Sequence, residues 1–479
     1  MNGAKIKSIF SSLFVGELKI IKWRFPKAFI LGFFGVILLY VGTAGIVSST
    51  TAWYSRGDTF RHVDYVWRVY NHDIPRWYDG VQYKPFTDLT GPKKQGESAN
   101  PPLFYVIHAP FVGPLLKEGK WQAAIAMGRA VNIMLGVACI TVLSWAGWLL
   151  GGKRKELFAI TVPAFSVLLF RFTRLNMDYA IDPLFVTLST LSLIANYKIL
   201  KSGLKRKYII WIALLSVLGM LTKAPYMVFM FINFLAIVIA LFMHSKQTSK
   251  QKLIKGSVIS AAILILVCLA TGWFYYFWNY KTNGNLFKSS PPGYTGGREH
   301  KSLYDVISSI RLWSFFYANY SPFPALSVII ASLAGSTYLR LGKKEVNKFF
   351  KDKARAAAIG LVFLSALGMF MVQIKFGIGY GAINFRYMLP AVLAFSLFLS
   401  YGLLGFDKMR GQVATFAVCC MAIPSVLALS GDLKDIYHAC LRNGIPAVIP
   451  GILVIMIAIG LVLFSASLFT LTKSTKAKN

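Results

Sequence analysis

Long apolar stretches recur along the whole chain, and no other feature narrows its folds so much. Hydrocarbon about 30 Å thick needs roughly 20 apolar residues per helical crossing. A lipid-exposed backbone has no water to bond, so it satisfies itself as a helix. Stretches of this kind are read near 29–50, 123–150, 157–172, 179–198, 208–222, 226–243, 254–278, 323–341, 356–374, 388–405, 412–430 and 446–469. The expectation is an all-α polytopic membrane protein with about 12 transmembrane helices. A hydrophobic share of 56% over 479 residues supports it, exceeding what a soluble domain of this length carries.

Charge sets the orientation. The chain has 52 Lys and Arg against 18 Asp and Glu, a formal net charge of +34. A nucleic-acid binder would gather such charge on one face. Here it falls in short clusters between spans, such as Lys153-Arg154-Lys155, Lys205-Arg206-Lys207 and Lys343-Lys344. Under the positive-inside rule these clusters, with Lys19, Lys22, Arg24 and Lys27, place both termini in the cytoplasm. Residues 1–28 are then a basic cytoplasmic segment, 471–479 a cytoplasmic tail, and the first span a retained anchor. Four of the five cysteines lie in expected spans, and no CxxC spacing suggests a metal site.

The acidic residues fall mostly on the opposite, extracytoplasmic side, so function is expected there. Two long outer loops are read, 51–122 and 279–322, the first far longer than a helix connection needs. Within it Val63, Trp67, Tyr70 and Ile74 recur at helical spacing opposite Arg61, Asp64, Arg68 and Asn71, an amphipathic helix expected on the membrane surface. Leu103 to Leu116, broken by Pro110 and Pro114, reads as a second interfacial or re-entrant segment.

Just after the first span stands Asp58-Thr59-Phe60-Arg61-His62-Val63-Asp64-Tyr65, followed by His72-Asp73-Ile74-Pro75. Further on come Asn100-Pro101-Pro102-Leu103-Phe104-Tyr105, Leu221-Thr222-Lys223-Ala224-Pro225 and Phe385-Arg386-Tyr387-Met388-Leu389-Pro390. In kind and order these resemble the motifs of the bacterial GT-C glycosyltransferases, the protein O-mannosyltransferase and aminoarabinose-transferase type. The resemblance runs to about residue 405 and implies a catalytic module over 29–405 with further helices over 406–470. It also implies a polyprenyl-phosphate-sugar donor, an extracytoplasmic acceptor, an inverting transfer and a bacterial plasma membrane. By motif position the catalytic acid is Asp58. The acid usual beside it is replaced here by Thr59, which leaves open a shift of the role to Asp64 or an altered activity.

The chemistry asks for the same groups. Transfer from a lipid phosphate needs a carboxylate to deprotonate the acceptor and cations to stabilise the departing phosphate. Asp58 suits the first task, with His62 one helical turn on. Lys223 and Arg386, at span ends, suit the second, with Arg129, Arg171 and Arg174 as further candidates. Asp178 and Asp182 share one face if helical and suit a second, acceptor-orienting acid. Each has a structural alternative. Asp58 could cap a helix, Asp64 could pair with Arg68 at i+4, and the two cations could only snorkel. No cofactor is demanded, and a divalent cation stays open. The expected partners are membrane lipid, the lipid-linked donor and the acceptor, without nucleic acid. The rival readings are a transporter or flippase of a lipid-linked sugar, and an inactive assembly partner.

Overall fold

In a computed structural model, the structure describes residues 13–20, 23–51, 57–90, 93–167, 173, 179–246, 248–281, 284, 286–287, 299–309, 312–313, 351–381, 383, 385–404, 439–441, 443–446 and 448–477. The fold is a helical bundle. Its first span, α1 (Lys27–Thr50), is followed by α2 (Gly57–Tyr70), α3 (Lys84–Thr90), α4 (Leu103–Lys117), α5 (Trp121–Leu150), α6 (Lys155–Val167) and α7 (Asp182–Ser202). Then come α8 (Arg206–Met220), α9 (Met227–His244), α10 (Ser249–Gly272), α11 (Leu303–Ser308), α12 (Lys353–Tyr380), α13 (Val392–Leu403) and α14 (Val448–Ala477).

Among the described residues, 7 helices are long and apolar enough to cross a membrane: α1, α5, α7, α9, α10, α12 and α14. The shorter α6, α8 and α13 occupy three more of the expected spans. The expected spans at 323–341 and 412–430 lie outside the described residues. The basic segment before α1 departs from the all-helical expectation. Glu17–Ile20 and Trp23–Pro26 pair as an antiparallel hairpin with Glu17 opposite Pro26, and Phe25 packs edge-on to Trp148 of α5.

The last helix belongs to the same body as the first. Helix α14 packs along α1, and Gly35 and Gly460 let the two backbones touch. A Cβ on Gly35 would lie 2.8 Å from the Gly460 carbonyl oxygen, and one on Gly460 would lie 2.7 Å from that of Gly35. Small residues at a crossing allow this close approach, which in lipid is the main source of helix–helix attraction.

The segment after α1 is held on the bundle end by a paired set of contacts. Helix α2 packs on α4, and Tyr65 stacks on Tyr105 with ring centroids 3.6 Å apart. The expectation of an amphipathic helix exposing one polar face is corrected here, because Asp64 and Arg68 are buried along with Val63 and Val66. Asp79, Gln82, Tyr83 and Gln95 meet that face, so its polar groups bond to protein instead of water. The aromatic run after α10 continues as a π-helix, Trp273–Tyr280. Its Trp273, Tyr276 and Phe277 face outward as an interfacial belt would, but Trp278 turns in and donates to the Pro75 carbonyl at 3.2 Å.

Candidate functional site

Asp182 opens α7, with Pro183 in the first helical turn. A carboxylate there is favoured by the positive helix end, and proline suits a position whose N–H has no helical partner. The approach to α7 is pinned to α5. Tyr179 donates to the Ala124 carbonyl at 3.1 Å, and the Asn132 amide donates to that of Ala180 at 3.1 Å. The carboxylate is thereby buried, with 1% of the side chain exposed.

Lys223 lies in the link between α8 and the short 3-10 turn Ala224–Tyr226. Two bonds from elsewhere fix the link: the Tyr275 hydroxyl donates to the Met220 carbonyl at 2.6 Å, and the Leu103 N–H to that of Leu221 at 3.2 Å. Arg386 comes from the 3-10 segment Phe385–Ala391 that follows α12. The two cations converge on Asp182. The Lys223 ammonium donates to Oδ1 at 2.9 Å and Arg386 Nε to Oδ2 at 2.5 Å, while the ammonium also lies 5.2 Å from the Tyr387 ring centroid.

These bonds answer the burial. Burial pushes the Lys223 ammonium below its ordinary value, opposed by Asp182 and, more weakly, by Glu97. Burial also pulls on the Arg386 guanidinium, but the carboxylates of Asp182 and Glu97 outweigh it and hold the group above its ordinary range. Three charges on one carboxylate centre sum to +1, from two cations and one anion. Such a site is suited to an anion.

The sequence reading passed over Glu97, which the structure joins to His62. It stands on the 3-10 turn Gly96–Ala99, where Oε2 accepts from the Asn100 amide at 2.5 Å and lies 3.6 Å from His62 Nε2. His62 in turn meets the Tyr105 hydroxyl through Nδ1 at 2.9 Å, and Tyr65 donates to the Asn100 carbonyl at 3.1 Å. His62 is buried inside this network. The one available sequence signal was that Glu97 precedes the Asn100-Pro101-Pro102 motif by three residues.

Asp58 lies on α2 one turn before His62, so the two share a face. Its side chain is 58% exposed and meets Arg61 Nη1 at 3.3 Å, an ion pair weak enough in water to yield to a substrate. Asp64 has a different use. Oδ1 accepts the backbone N–H groups of Gln82 and Tyr83, each at 2.8 Å, and Oδ2 accepts the Gln95 amide at 2.7 Å. The expected pairing with Arg68 is not formed, because Arg68 binds Asp73 and Asp79. Asp64 is therefore a staple of the loop. Arg129 is buried and donates Nη1 to the carbonyls of Ser48 and Thr51 at 3.0 and 2.9 Å. With Asn443, whose amide reaches the Ser49 carbonyl at 2.8 Å, it closes the carbonyl end of α1. Asp178, Arg171 and Arg174 lie outside the described residues. Among the described residues no group of three or more His, Cys, Asp or Glu side chains gathers to hold a metal ion.

No protein-family model matches the chain, and no curated protein sequence matches it. Solved structures do. The chain is similar to ArnT from Cupriavidus metallidurans bound to undecaprenyl phosphate, with a TM-score of 0.45 and 14% identity over 92% of this chain and 78% of that one. It is also similar to the archaeal oligosaccharyltransferase AglB from Archaeoglobus fulgidus in complex with an inhibitory peptide and a dolichol-phosphate, with a TM-score of 0.43 and 12% identity over 86% of this chain and 56% of that one.

Proposed function

We propose that the protein is an inverting glycosyltransferase that moves a sugar from a polyprenyl-phosphate donor to an acceptor outside a bacterial plasma membrane. The observation that carries the reading is the pair of cations, Lys223 and Arg386, held together by the buried Asp182 at the bundle end that also bears Asp58 and His62. The sequence motifs shared with the GT-C glycosyltransferases agree with it.

In this reading the Asp58 carboxylate takes the proton of an acceptor hydroxyl. The acceptor oxygen attacks the anomeric carbon from the side opposite the phosphate. The bond from that carbon to the phosphate oxygen breaks, its electrons leave with the polyprenyl phosphate, and configuration inverts. Lys223 and Arg386 stabilise the charge that collects on the leaving phosphate, the guanidinium as a planar fork and the ammonium as a point charge. Asp182 orients both. With it, the three groups carry +1 against the single negative charge of a phosphodiester donor. Arg129 is left to the end of α1, where it sets the start of the segment that carries Asp58.

The test is mass spectrometry of the detergent-purified protein for co-purifying polyprenyl-phosphate lipids, followed by incubation with envelope acceptors. Wild type should release the sugar. Asp58→Asn should bind the same lipid and transfer at least about 100-fold more slowly, the low end of what a positioned base contributes. Undiminished transfer by Asp58→Asn would remove Asp58 from the reaction, and a bound lipid turned over by neither protein would favour a transporter or an inactive partner.

A further inference from the structure

The last carbonyls of a helix have no donors within that helix. Helix α8 ends at Met220, three residues before Lys223, and its open end is closed from outside. The Tyr275 hydroxyl reaches the Met220 carbonyl at 2.6 Å, and the N–H of Leu103, itself at the open start of α4, reaches the Leu221 carbonyl at 3.2 Å. The backbone is then extended at Lys223, with φ −162° and ψ 132°. The direction in which the ammonium leaves the backbone therefore depends on how the end of α8 is held.

Tyr275 belongs to the π-helix Trp273–Tyr280, which continues α10. Hydrogen bonds from i to i+5 make its turns wider than α-turns, a rare form often found at functional sites. The widening has a use here. Residues three apart lie on one face of an α-helix but diverge around a π-helix, so Tyr275 and Trp278 reach two different segments. The Trp278 indole donates to the Pro75 carbonyl at 3.2 Å, and the Arg76 guanidinium lies 4.6 Å from its ring centroid. That segment is tied in turn to α2, because Arg68 pairs with Asp73 and Asp79. Tyr275 itself is buried against Phe287. The π-helix is thus a strut between the segment that follows α2 and the link that carries Lys223.

We infer that Tyr275 is a positioning residue for Lys223: the π-helix, anchored at Pro75 by Trp278, uses the Tyr275 hydroxyl to hold the end of α8 so that the ammonium stands ready for the donor phosphate. The hydroxyl is spent on a backbone carbonyl and acts on the phosphate only through Lys223. Its contribution is preorganisation. Without it the link relaxes in the free protein, and binding must first restore the link. The loss of affinity is bounded by what that hydrogen bond is worth. This inference rests on the assignment of Lys223 to the donor phosphate.

The experiment measures undecaprenyl phosphate binding to nanodisc-embedded wild type, Tyr275→Phe, Lys223→Ala and the double variant. Tyr275→Phe should bind about 5-fold more weakly than wild type, within the range of one hydrogen bond. In the Lys223→Ala background the same change should have no further effect, because the link then presents no ammonium. Equal weakening in both backgrounds would make Tyr275 a packing residue, and undiminished binding by Tyr275→Phe would leave it no role; either result overturns the inference. Should Tyr275→Phe fold poorly, Trp278→Phe frees the other end of the strut. It should bind about 2-fold more weakly, again only with Lys223 present. Weakening that persists in Lys223→Ala, or none at all, would overturn the strut. Binding indifferent to Lys223→Ala itself would instead overturn the phosphate site on which the inference stands.

Discussion

Two buried carboxylates show how differently this protein uses the same group. Asp64 and Asp182 are both almost fully enclosed. Asp64 is surrounded by neutral donors, two backbone N–H groups and an amide, all from residues 82–95 of its own loop. Asp182 is surrounded by cations brought from 41 and 204 positions away. The neutral donors consume the carboxylate and give rigid backbone in return. The cations keep charge to spare after the carboxylate is satisfied, and in the proposed reaction that surplus is what the donor phosphate meets. Burial of an acid thus does not by itself mark a candidate site; the charge of its partners separates the two cases.

The comparison breaks most visibly at Asp182. Asp182→Asn leaves two enclosed cations without their counter-ion, and the cost should be about 3–5 kcal/mol, seen as a fall in the midpoint of thermal unfolding in detergent. A loss below about 1 kcal/mol would mean that the cations are hydrated and that Asp182 does not organise them. Asp64→Asn should cost less, about 1–3 kcal/mol, because its carbonyl oxygen can keep the two backbone N–H groups on Oδ1 while its NH2 is set against the Gln95 amide that donates to Oδ2. Hydrogen exchange should localise that loss to residues 79–95, with polyprenyl-phosphate binding intact; impaired binding would merge the two regions that the comparison separates.

The smallest effect is one of pH. Burial raises the Asp64 carboxyl above its ordinary 3.8, although the N–H groups of Tyr83 and Gln82 and the Gln95 amide oppose it. The folded state therefore takes up this proton more readily than the unfolded chain. Its contribution to stability is fully present below pH 3.8 and is lost as pH rises through the raised value. Wild type should lose stability relative to Asp64→Asn across that window, and parallel curves would show that the carboxyl is not perturbed.

Much of the fold was legible because the rules of a membrane helix are local. The expected spans at 29–50, 123–150 and 226–243 differ by only a few residues from α1, α5 and α9. Lys223, Arg386 and Asp182 were legible as polar residues in short motifs at span ends, where a charge is tolerated only when paired or wet. Other features were not legible. Asp64 stands at i,i+4 from Arg68, and helical spacing allows that pairing, but folding of the 79–95 loop offers each residue better partners. Arg129 carries a charge suited to phosphate, yet it is spent on carbonyls more than 70 positions earlier. Glu97 belongs to no periodic pattern, and only its place three residues before Asn100 set it apart from an ordinary loop acid. The final helix matched no motif, and its packing along α1 became visible only in the structure.

The sequence by itself determined that this chain crosses a membrane repeatedly as helices, because hydrocarbon thickness and backbone hydrogen bonding act on each stretch separately. It also determined which residue types were available for the proposed lipid-phosphate reaction. Only the tertiary structure decided which carboxylate meets which cation, and therefore which charges cancel and which remain for a substrate. Coulomb interaction in a poorly polarisable interior depends on separation in space over a few ångströms, and chain separations of 41 and 204 residues carry no record of it.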